Sequence, residues 1–448
     1  MKKIVMVLFL GILTIPMIGC NKNQNTKTDG DLENDSLPNL KVDVSTNAKS
    51  FINNKEYSLT ATYDDGYFKS DDEVFNKDLA ILSLVSSCAT VSKENIKKFY
   101  EDISFVSAHF SSSYNEETTV DSVAYAFANR GEIVSIAIRG FDYKNEWVNN
   151  FKIGLEGNHL GFEESAQKVY EGLKEYLSTL NLTNTKIWLT GYSRGGAIAN
   201  LLSSMILEDH DISLDAFYGY TFEAPKGVLK ENVKEYKNLF NIVNSADLIS
   251  YLAPEEFGFA RHGIDIDIYD ANISSLLSSF DEELQIGDFK PLKNYAETPD
   301  QLPQAIIGGI LKYVGNDENP GAQDRKEFID NYSEQIGYLV SLAFKLTDEA
   351  IENLVKDISK MNLFQLMELL NAESLYNFIT PYLNQANISF VSETLLESIK
   401  AAIDFVKGPG LNIALKVMDK DNQSSFVYAI YMHDSLATYV LLENYNKK

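Results

Sequence analysis

The sequence predicts an α/β fold: a mostly parallel sheet covered on both faces, interrupted by a large all-helical insertion. Three observations predict it. Between about residues 121 and 267, segments of strand character alternate with segments of helical period, the pattern of a parallel sheet with helices on both sides. One strand, Lys186–Thr190, runs straight into Gly191-Tyr192-Ser193-Arg194-Gly195-Gly196 and then into a small-residue helix. From Gln323 to Val406 the pattern is almost wholly helical, with no strand signal.

The 448 residues suffice for one large domain carrying an insertion. With 45% hydrophobic and 12% aromatic residues, the chain can bury a sizeable core. The formal net charge of −25 excludes nucleic acid as a partner, because phosphates are repelled and no basic patch is present. Nor does it favour docking onto anionic lipid by charge alone.

The N-terminus reads as an export signal. Lys2 and Lys3 precede an apolar run, Ile4–Ile18, which is broken by Gly11, Thr14 and Pro16 and is too short for a comfortable membrane span. The run closes on Met17-Ile18-Gly19-Cys20, which resembles a bacterial lipoprotein lipobox, with Met17 a departure from the usual residue. The resemblance implies a signal peptide over 1–19 and lipidation of Cys20 as the mature N-terminus. The chain would then be held outside the cytoplasm on a bacterial cell membrane. The alternative is an ordinary signal peptide with an incidental cysteine. Cys88 is then left without a disulfide partner and reads as a small buried hydrophobe in "LAILSLVSSCA".

Residues 20–45 are polar and nearly free of aromatics, a tether between lipid and folded body. The core is expected over 46–270. "DEVFNKDLAILSLVSSCA" and "KENIKKFYEDISF" have helical spacing. "DSVAYAFANRGEIVSIAIRG" reads as a hairpin of two strands around Asn129-Arg130-Gly131-Glu132. A helix follows in "GFEESAQKVYEGLKEYLSTL", and further strands in "LDAFYGYTFEAP", "KNLFNIVNSAD" and "ARHGIDIDIY". The helical insertion is placed at 271–409. The chain returns to the core at 410–448, where "SSFVYAIYMHDSLATYVLLENY" has a strand-like start and a helical finish.

Gly-Tyr-Ser-Arg-Gly at a strand-to-helix turn is the pattern of a nucleophile elbow. The turn lifts the Ser193 hydroxyl above the sheet, and glycines avoid clashes with the neighbouring strand and helix. The backbone N–H groups that open the helix point at developing negative charge. Gly-x-Ser-x-Gly alone is a weak signal; the strand before it and the helix after it make it specific. A serine nucleophile needs a base, and the base an orienting carboxylate, in the chain order Ser, Asp, His. Asp247, in "NIVNSADLISYLAP", follows a strand and a polar break, where sites of open α/β sheets gather. His109 and His159 precede the serine, and His210 lies in a polar loop. Of the two that remain, His262 sits in a strand-like segment and His433 at the junction before the final helix. His433 is the expected base, and His262 is expected to be structural.

These segments resemble the class 3 lipase family, the fungal-lipase-like branch of the α/β-hydrolases, over roughly Asp121 to Asp267 and again near His433. "IVSIAIRGFDYKNEWVNNF" is similar to its strand, Arg-Gly-Thr/Ser turn and Asp-Trp element. "NHLGFEESA" resembles its His-x-Gly-Phe segment, making His159 a structural neighbour. "TGYSRGGAIA" corresponds to Gly-His-Ser-Leu-Gly-Gly, "YTFEAPKGV" to the Phe-Gly-Ala-Pro strand end, "NIVNSADLISYLAP" to Val-Asn-x-x-Asp-x-Val-Pro-x-Leu-Pro, and "RHGIDIDI" to His-x-Gly-x-Glu. The resemblance implies an α/β-hydrolase fold with Ser193 as nucleophile, Asp247 as orienting acid and His433 as base. It implies an oxyanion hole from the backbone N–H groups of Phe141 and Arg194. Tyr192 and Arg194 depart from the family's His and Leu. Phe141 replaces Thr or Ser, so a hydroxyl is lost where one oxyanion donor is worth on the order of 10²–10³-fold in rate.

No cofactor or metal is expected. Asp265, Asp267 and Asp270 in "DIDIYD" read as the solvated face of an alternating strand, and "DKDNQSS" lacks the glycine and distal glutamate of a calcium loop. The expected function is a lipid-anchored serine ester hydrolase acting on acyl esters such as acylglycerols or phospholipids, with the insertion as a cap over the site. The alternative is a surface binding protein on a degenerate hydrolase scaffold, in which His433 would lie far from Ser193. A peptidase or thioesterase shares the same elbow.

Overall fold

The computed structural model describes residues 38–114, 123–140, 147–154, 156–180, 182–253, 255–287, 289, 296–305, 326, 329–358, 360–361, 368–369, 371–405 and 420–446. Cys20 and Phe141 lie outside them, and so does the expected signal peptide.

The chain opens with an antiparallel hairpin, β1 (Lys41–Lys49) and β2 (Glu56–Asp64). Two helices follow, α1 (Lys77–Ala89) and α2 (Lys93–Asp102), begun by Asn76 and Ser92, whose side chains accept the N–H groups of Leu79 and Asn95. Next come β3 (Val106–Phe110), β4 (Tyr125–Arg130), β5 (Ile133–Ile138), α3 (Leu160–Thr179), β6 (Thr185–Tyr192), α4 (Arg194–Leu207) and β7 (Leu214–Phe222). A short pair, β8 (Val228–Leu229) and β10 (Phe259–Ala260), brackets β9 (Leu239–Val243), and β11 (Ile264–Asp267) closes the series. The main sheet has the order β11-β9-β7-β6-β5-β4-β3. Pairing is parallel from β11 to β5 and antiparallel across β5-β4-β3. The β4–β5 turn places Gly131 at φ +57, a left-handed conformation that glycine enters freely.

Both faces of the sheet are buried, because strand side chains alternate between them. Ile187 and Leu189 of β6 join Phe162, Val169, Leu173, Ile198 and Leu202 of α3 and α4. Trp188 and Tyr192 join the other cluster, with α1, α2 and the β1–β2 hairpin. Helix α1 is buried on every side from Leu79 to Ala89, since the hairpin covers the face that the sheet does not. Its serines are matched to β6: the Trp188 indole N–H donates to Ser83 Oγ at 2.8 Å, and Ser87 Oγ lies 2.7 Å from Thr190 Oγ1.

Beyond β11 the described helices are α5 (Ile273–Phe280), α6 (Glu334–Phe344), α7 (Asp348–Ile358), α8 (Ala372–Gln385), α9 (Ser392–Phe405), α10 (Lys420–Tyr431) and α11 (Ser435–Asn444). Among the described residues of 271–409 no strand is present beyond a single bridge at Ala296. Helices α6, α8 and α9 share an apolar cluster of their own, formed by Leu342, Leu383, Leu395, Ile399 and Ile403. Helix α6 also packs on the turn Trp147–Phe151. No helix among the described residues is long and apolar enough to cross a membrane.

Three expectations are corrected. The tether expected over 20–45 ends sooner, because β1 begins at Lys41, with Val44, Thr46 and Ala48 turned inward at strand period. The insertion does not begin at 271: Ile273, Leu277, Leu284, Ile286, Ala296 and Leu302 are buried in the same cluster as the sheet. The strand-like start of "SSFVYAIYMHDS", from Ser424, is the helix α10. Its run of apolar side chains satisfies either period, but the buried positions Ser425, Tyr428, Ala429 and Met432 follow the helical one.

Candidate active site

Parallel strands β5, β6, β7 and β9 carry their C-terminal ends to one edge of the sheet, and the polar groups converge there. Ser193 follows β6 with φ +51 and ψ −125, a strained conformation for a residue with a side chain. The strain is held by close backbone approach. A Cβ on Gly191 would lie 2.2 Å from Gly195 O, and one on Gly195 would lie 2.5 Å from Ile138 O. The Ser193 N–H is tied to Phe222 O at 2.8 Å. The side chain thus stands at the head of α4, whose N-terminal dipole favours negative charge.

His433 lies in the short link between α10 and α11. Its Nε2 is 2.8 Å from Ser193 Oγ, and its Nδ1 is 2.7 Å from Asp247 Oδ2. Ser193 and His433 are each 8% exposed and Asp247 is fully buried, so the line meets solvent at Ser193 and His433 and is closed at Asp247. A carboxylate at Nδ1 holds the ring hydrogen there and leaves Nε2 to accept. Asp247 Oδ1 also accepts the Ile249 N–H at 2.8 Å, and Oδ2 lies 2.8 Å from Ser250 Oγ. Three residues separated by up to 240 positions therefore form one hydrogen-bonded line.

Arg194 opens α4. Its side chain is buried and donates to Ser165 Oγ at 2.9 Å, pointing away from the elbow as a brace between α4 and α3. The three aspartates of "DIDIYD" are held by local bonding. Asp265 accepts from Asn241 and Arg261, Asp267 from the N–H groups of Ser245 and Tyr269, and Asp270 from the Asn272 N–H. Among the described residues no cluster could hold a metal ion. His159 stacks on Phe162 at 3.9 Å, His109 on Phe127 at 5.9 Å, and His210 is exposed. His262 Nδ1 accepts the Lys234 N–H at 3.0 Å, and burial pushes its pKa down to about 4. Burial pushes the Cys88 thiol up to about 12, as for an inert core residue.

Sequence reasoning missed three supports of the site. Tyr192 donates to His433 O at 2.8 Å, and its ring lies 5.3 Å from the imidazole. Asp434, fully buried, accepts Ser50 Oγ at 2.7 Å, the Phe51 N–H at 2.8 Å and the Ile52 N–H at 3.3 Å on one oxygen. Its other oxygen accepts the Leu436 N–H at 2.8 Å and so caps α11. The β1–β2 turn is thereby fastened to the residue beside His433. Glu223, at the end of β7, stands behind Asp247. One signal could have found it: "TFEAP" carries a glutamate where the resembling motif has glycine.

The family model described as lipase (class 3) matches residues 135–257, a stretch that holds Ser193 and Asp247 but not His433. This part of the chain is similar to class 3 lipases. A search of curated proteins finds no match. Solved structures that match include lipase II from Rhizopus niveus, with 16% identity, 46% of this chain, 81% of that one and a TM-score of 0.32. The triacylglyceride lipase of Rhizomucor miehei gives 18%, 43%, 79% and 0.29. Lip2 lipase from Yarrowia lipolytica gives 15%, 43%, 78% and 0.32. At these identities and scores no residue role is carried over from them.

Proposed function

We propose that the protein is a serine ester hydrolase working through an acyl-enzyme. The carrying observation is the line Ser193 Oγ–His433 Nε2 at 2.8 Å and His433 Nδ1–Asp247 Oδ2 at 2.7 Å. Ser193 attacks the ester carbonyl while His433 Nε2 takes its hydrogen, and Asp247 stabilises the imidazolium that forms. The backbone N–H groups of Arg194 and Phe141 receive the oxyanion. The imidazolium returns its proton to the departing alcohol, and water then releases the acid by the same steps in reverse. The match of 135–257 to class 3 lipases supports acyl esters such as acylglycerols or phospholipids as substrates.

The helical segment has a place in this reading as a cap. Helix α6 packs on Trp147–Phe151, and Ile329 packs with Ile153, Phe257 and Ala253, segments that leave the same sheet edge as Ser193. Lipidation at Cys20 would hold the enzyme at a membrane surface, outside the cytoplasm. The 2.8 Å contact supports catalysis over the binding-protein alternative.

The test is fluorophosphonate labelling of the purified chain beside Ser193→Ala, followed by a series of chromogenic acyl esters. Labelling and hydrolysis lost together in the variant support the reading, and the chain-length optimum separates esterase from lipase. A folded wild-type protein that neither labels nor hydrolyses overturns it.

A further inference from the structure

A second acid, Glu223, lies behind Asp247 and is fully buried. Its φ is +44, in the left-handed region that residues with a Cβ enter at a cost. Its Oε2 accepts the Asn244 N–H at 2.9 Å and lies 3.0 Å from Ser250 Oγ, which itself lies 2.8 Å from Asp247 Oδ2. Its Oε1 lies 3.1 Å from Thr438 Oγ1, which lies 3.1 Å from Tyr192 Oη, and Tyr192 Oη lies 2.8 Å from His433 O.

These are five oxygen–oxygen contacts, and each requires one hydrogen. The hydroxyls of Ser250, Thr438 and Tyr192 bring one hydrogen each. Were Asp247 and Glu223 both ionised, two contacts would set bare oxygen against bare oxygen in a buried site, which is costly. Tyr192 must donate to the His433 carbonyl, so Thr438 donates to Tyr192 and has nothing left for Glu223. Ser250 can serve only one of its two carboxyl neighbours.

We propose that Glu223 is a neutral carboxylic acid in the folded protein and a positioning residue for the catalytic line. A hydrogen on Oε1 completes the chain Glu223 to Thr438 to Tyr192 to the His433 carbonyl. On Oε2 it completes Glu223 to Ser250 to Asp247, so one bare contact remains in place of two. Either way the acid braces the base or its partner and leaves Asp247 as the anion that meets His433. The titratable groups linked to it are Asp247 after β9, through Ser250, and Tyr192 on β6, through Thr438; Asp434 and His433 lie between α10 and α11. The cation nearby, Arg261, gives its hydrogens to Ala224 O, Ser250 O and Asp265. Burial first, and then the charge of Asp247, push the Glu223 carboxyl well above its ordinary range. The positioning role rests on the hydrolase reading; the protonation state does not.

The experiment is an infrared difference spectrum at pH 8 between the wild-type chain and Glu223→Gln, with the fluorophosphonate rate at Ser193 measured on both. The expected result is a neutral carboxylic-acid carbonyl band in wild type that the substitution removes, with a labelling rate within about threefold of wild type. Glutamine can still donate from its amide and accept from Asn244. Glu223→Ala can do neither and should label at least roughly tenfold slower. A carboxylate band lost in place of the neutral one, or a neutral band that survives in Glu223→Gln, overturns the proposal. If Glu223→Gln does not fold, the difference spectrum is taken against Glu223→Ala: a neutral band lost there upholds the neutral acid, and a wild-type protein with no neutral band, or one that the variant keeps, overturns it. A neutral band that the substitution removes, in a wild-type protein whose Ser193 does not label, overturns the hydrolase reading and the positioning role together, while upholding the neutral acid.

Discussion

Replacing Asp434 by alanine tests whether the β1–β2 turn holds the candidate base in place. The substitution strips partners from Ser50 Oγ and the Phe51 N–H, which bond Asp434 at 2.7 and 2.8 Å. The Ile52 N–H keeps an alternative acceptor, Ser50 Oγ at 3.1 Å. Two donors left unsatisfied cost about 1–2 kcal/mol each, and loss of the α11 cap costs about 1 kcal/mol. Removal of a buried carboxyl returns part of that, so the net loss is about 3 kcal/mol. Asp434→Asn should lose only about 1 kcal/mol, because its amide oxygen can still face the turn while its NH2 opposes the Leu436 N–H. Urea unfolding of both variants, with the slope checked for constancy, measures this. Fluorophosphonate labelling should slow in Asp434→Ala by about tenfold or more, since His433 is the adjacent residue. A stability loss below about 1 kcal/mol with an unchanged labelling rate would refute the reasoning.

Other outcomes follow from the same geometry. His262 is depressed from 6.5 to about 4 by burial. The stability it contributes is therefore complete above about pH 6.5 and lost as pH falls toward 4. His262→Gln, which keeps an acceptor for the Lys234 N–H, should flatten the fall of the urea midpoint between pH 7 and 4; parallel profiles would count against it. Gly191→Ala puts a Cβ 2.2 Å from Gly195 O, and should cost about 3 kcal/mol or leave Ser193 unreactive; a stable, reactive variant would show that the elbow relaxes freely. Cys20→Ala should move the protein from the membrane fraction to the soluble one, and unaltered fractionation would remove the anchor from the reading.

The legible parts of this protein are those written in contiguous residues. The elbow is a contiguous strand, turn and helix over Thr185–Leu207, and its Gly191 is needed by a backbone distance that the turn itself sets. β4 and β5 announce themselves through Asn-Arg-Gly-Glu between two apolar runs. Asp247 and His433 were reachable because chain order limits the choice, and the structure sets His433 between Ser193 and Asp247. What the sequence hides is contact at long range. Nothing local marks Lys41 to Asp64 as a hairpin, whose partner surface on α1 and α11 comes from elsewhere in the chain. Nothing near Asp434 shows that it will meet Ser50 across 384 positions. The α10 segment was misread for a different reason: where nearly every residue is apolar, period carries no information, and tertiary packing selects the helix.

The Asp434 clamp also sets an order of events in time. Ser50 leaves the ribosome 384 residues before the carboxyl that receives its hydroxyl, and Ser193 leaves it 240 residues before the imidazole that activates it. Until that late segment exists, the hairpin turn lacks its Asp434 clamp and the serine its base. In the proposed reading a chain interrupted before His433 carries a strained, inert serine, so reactivity appears only once His433 and its clamp have been made and docked. An enzyme of this layout is silent through its own synthesis.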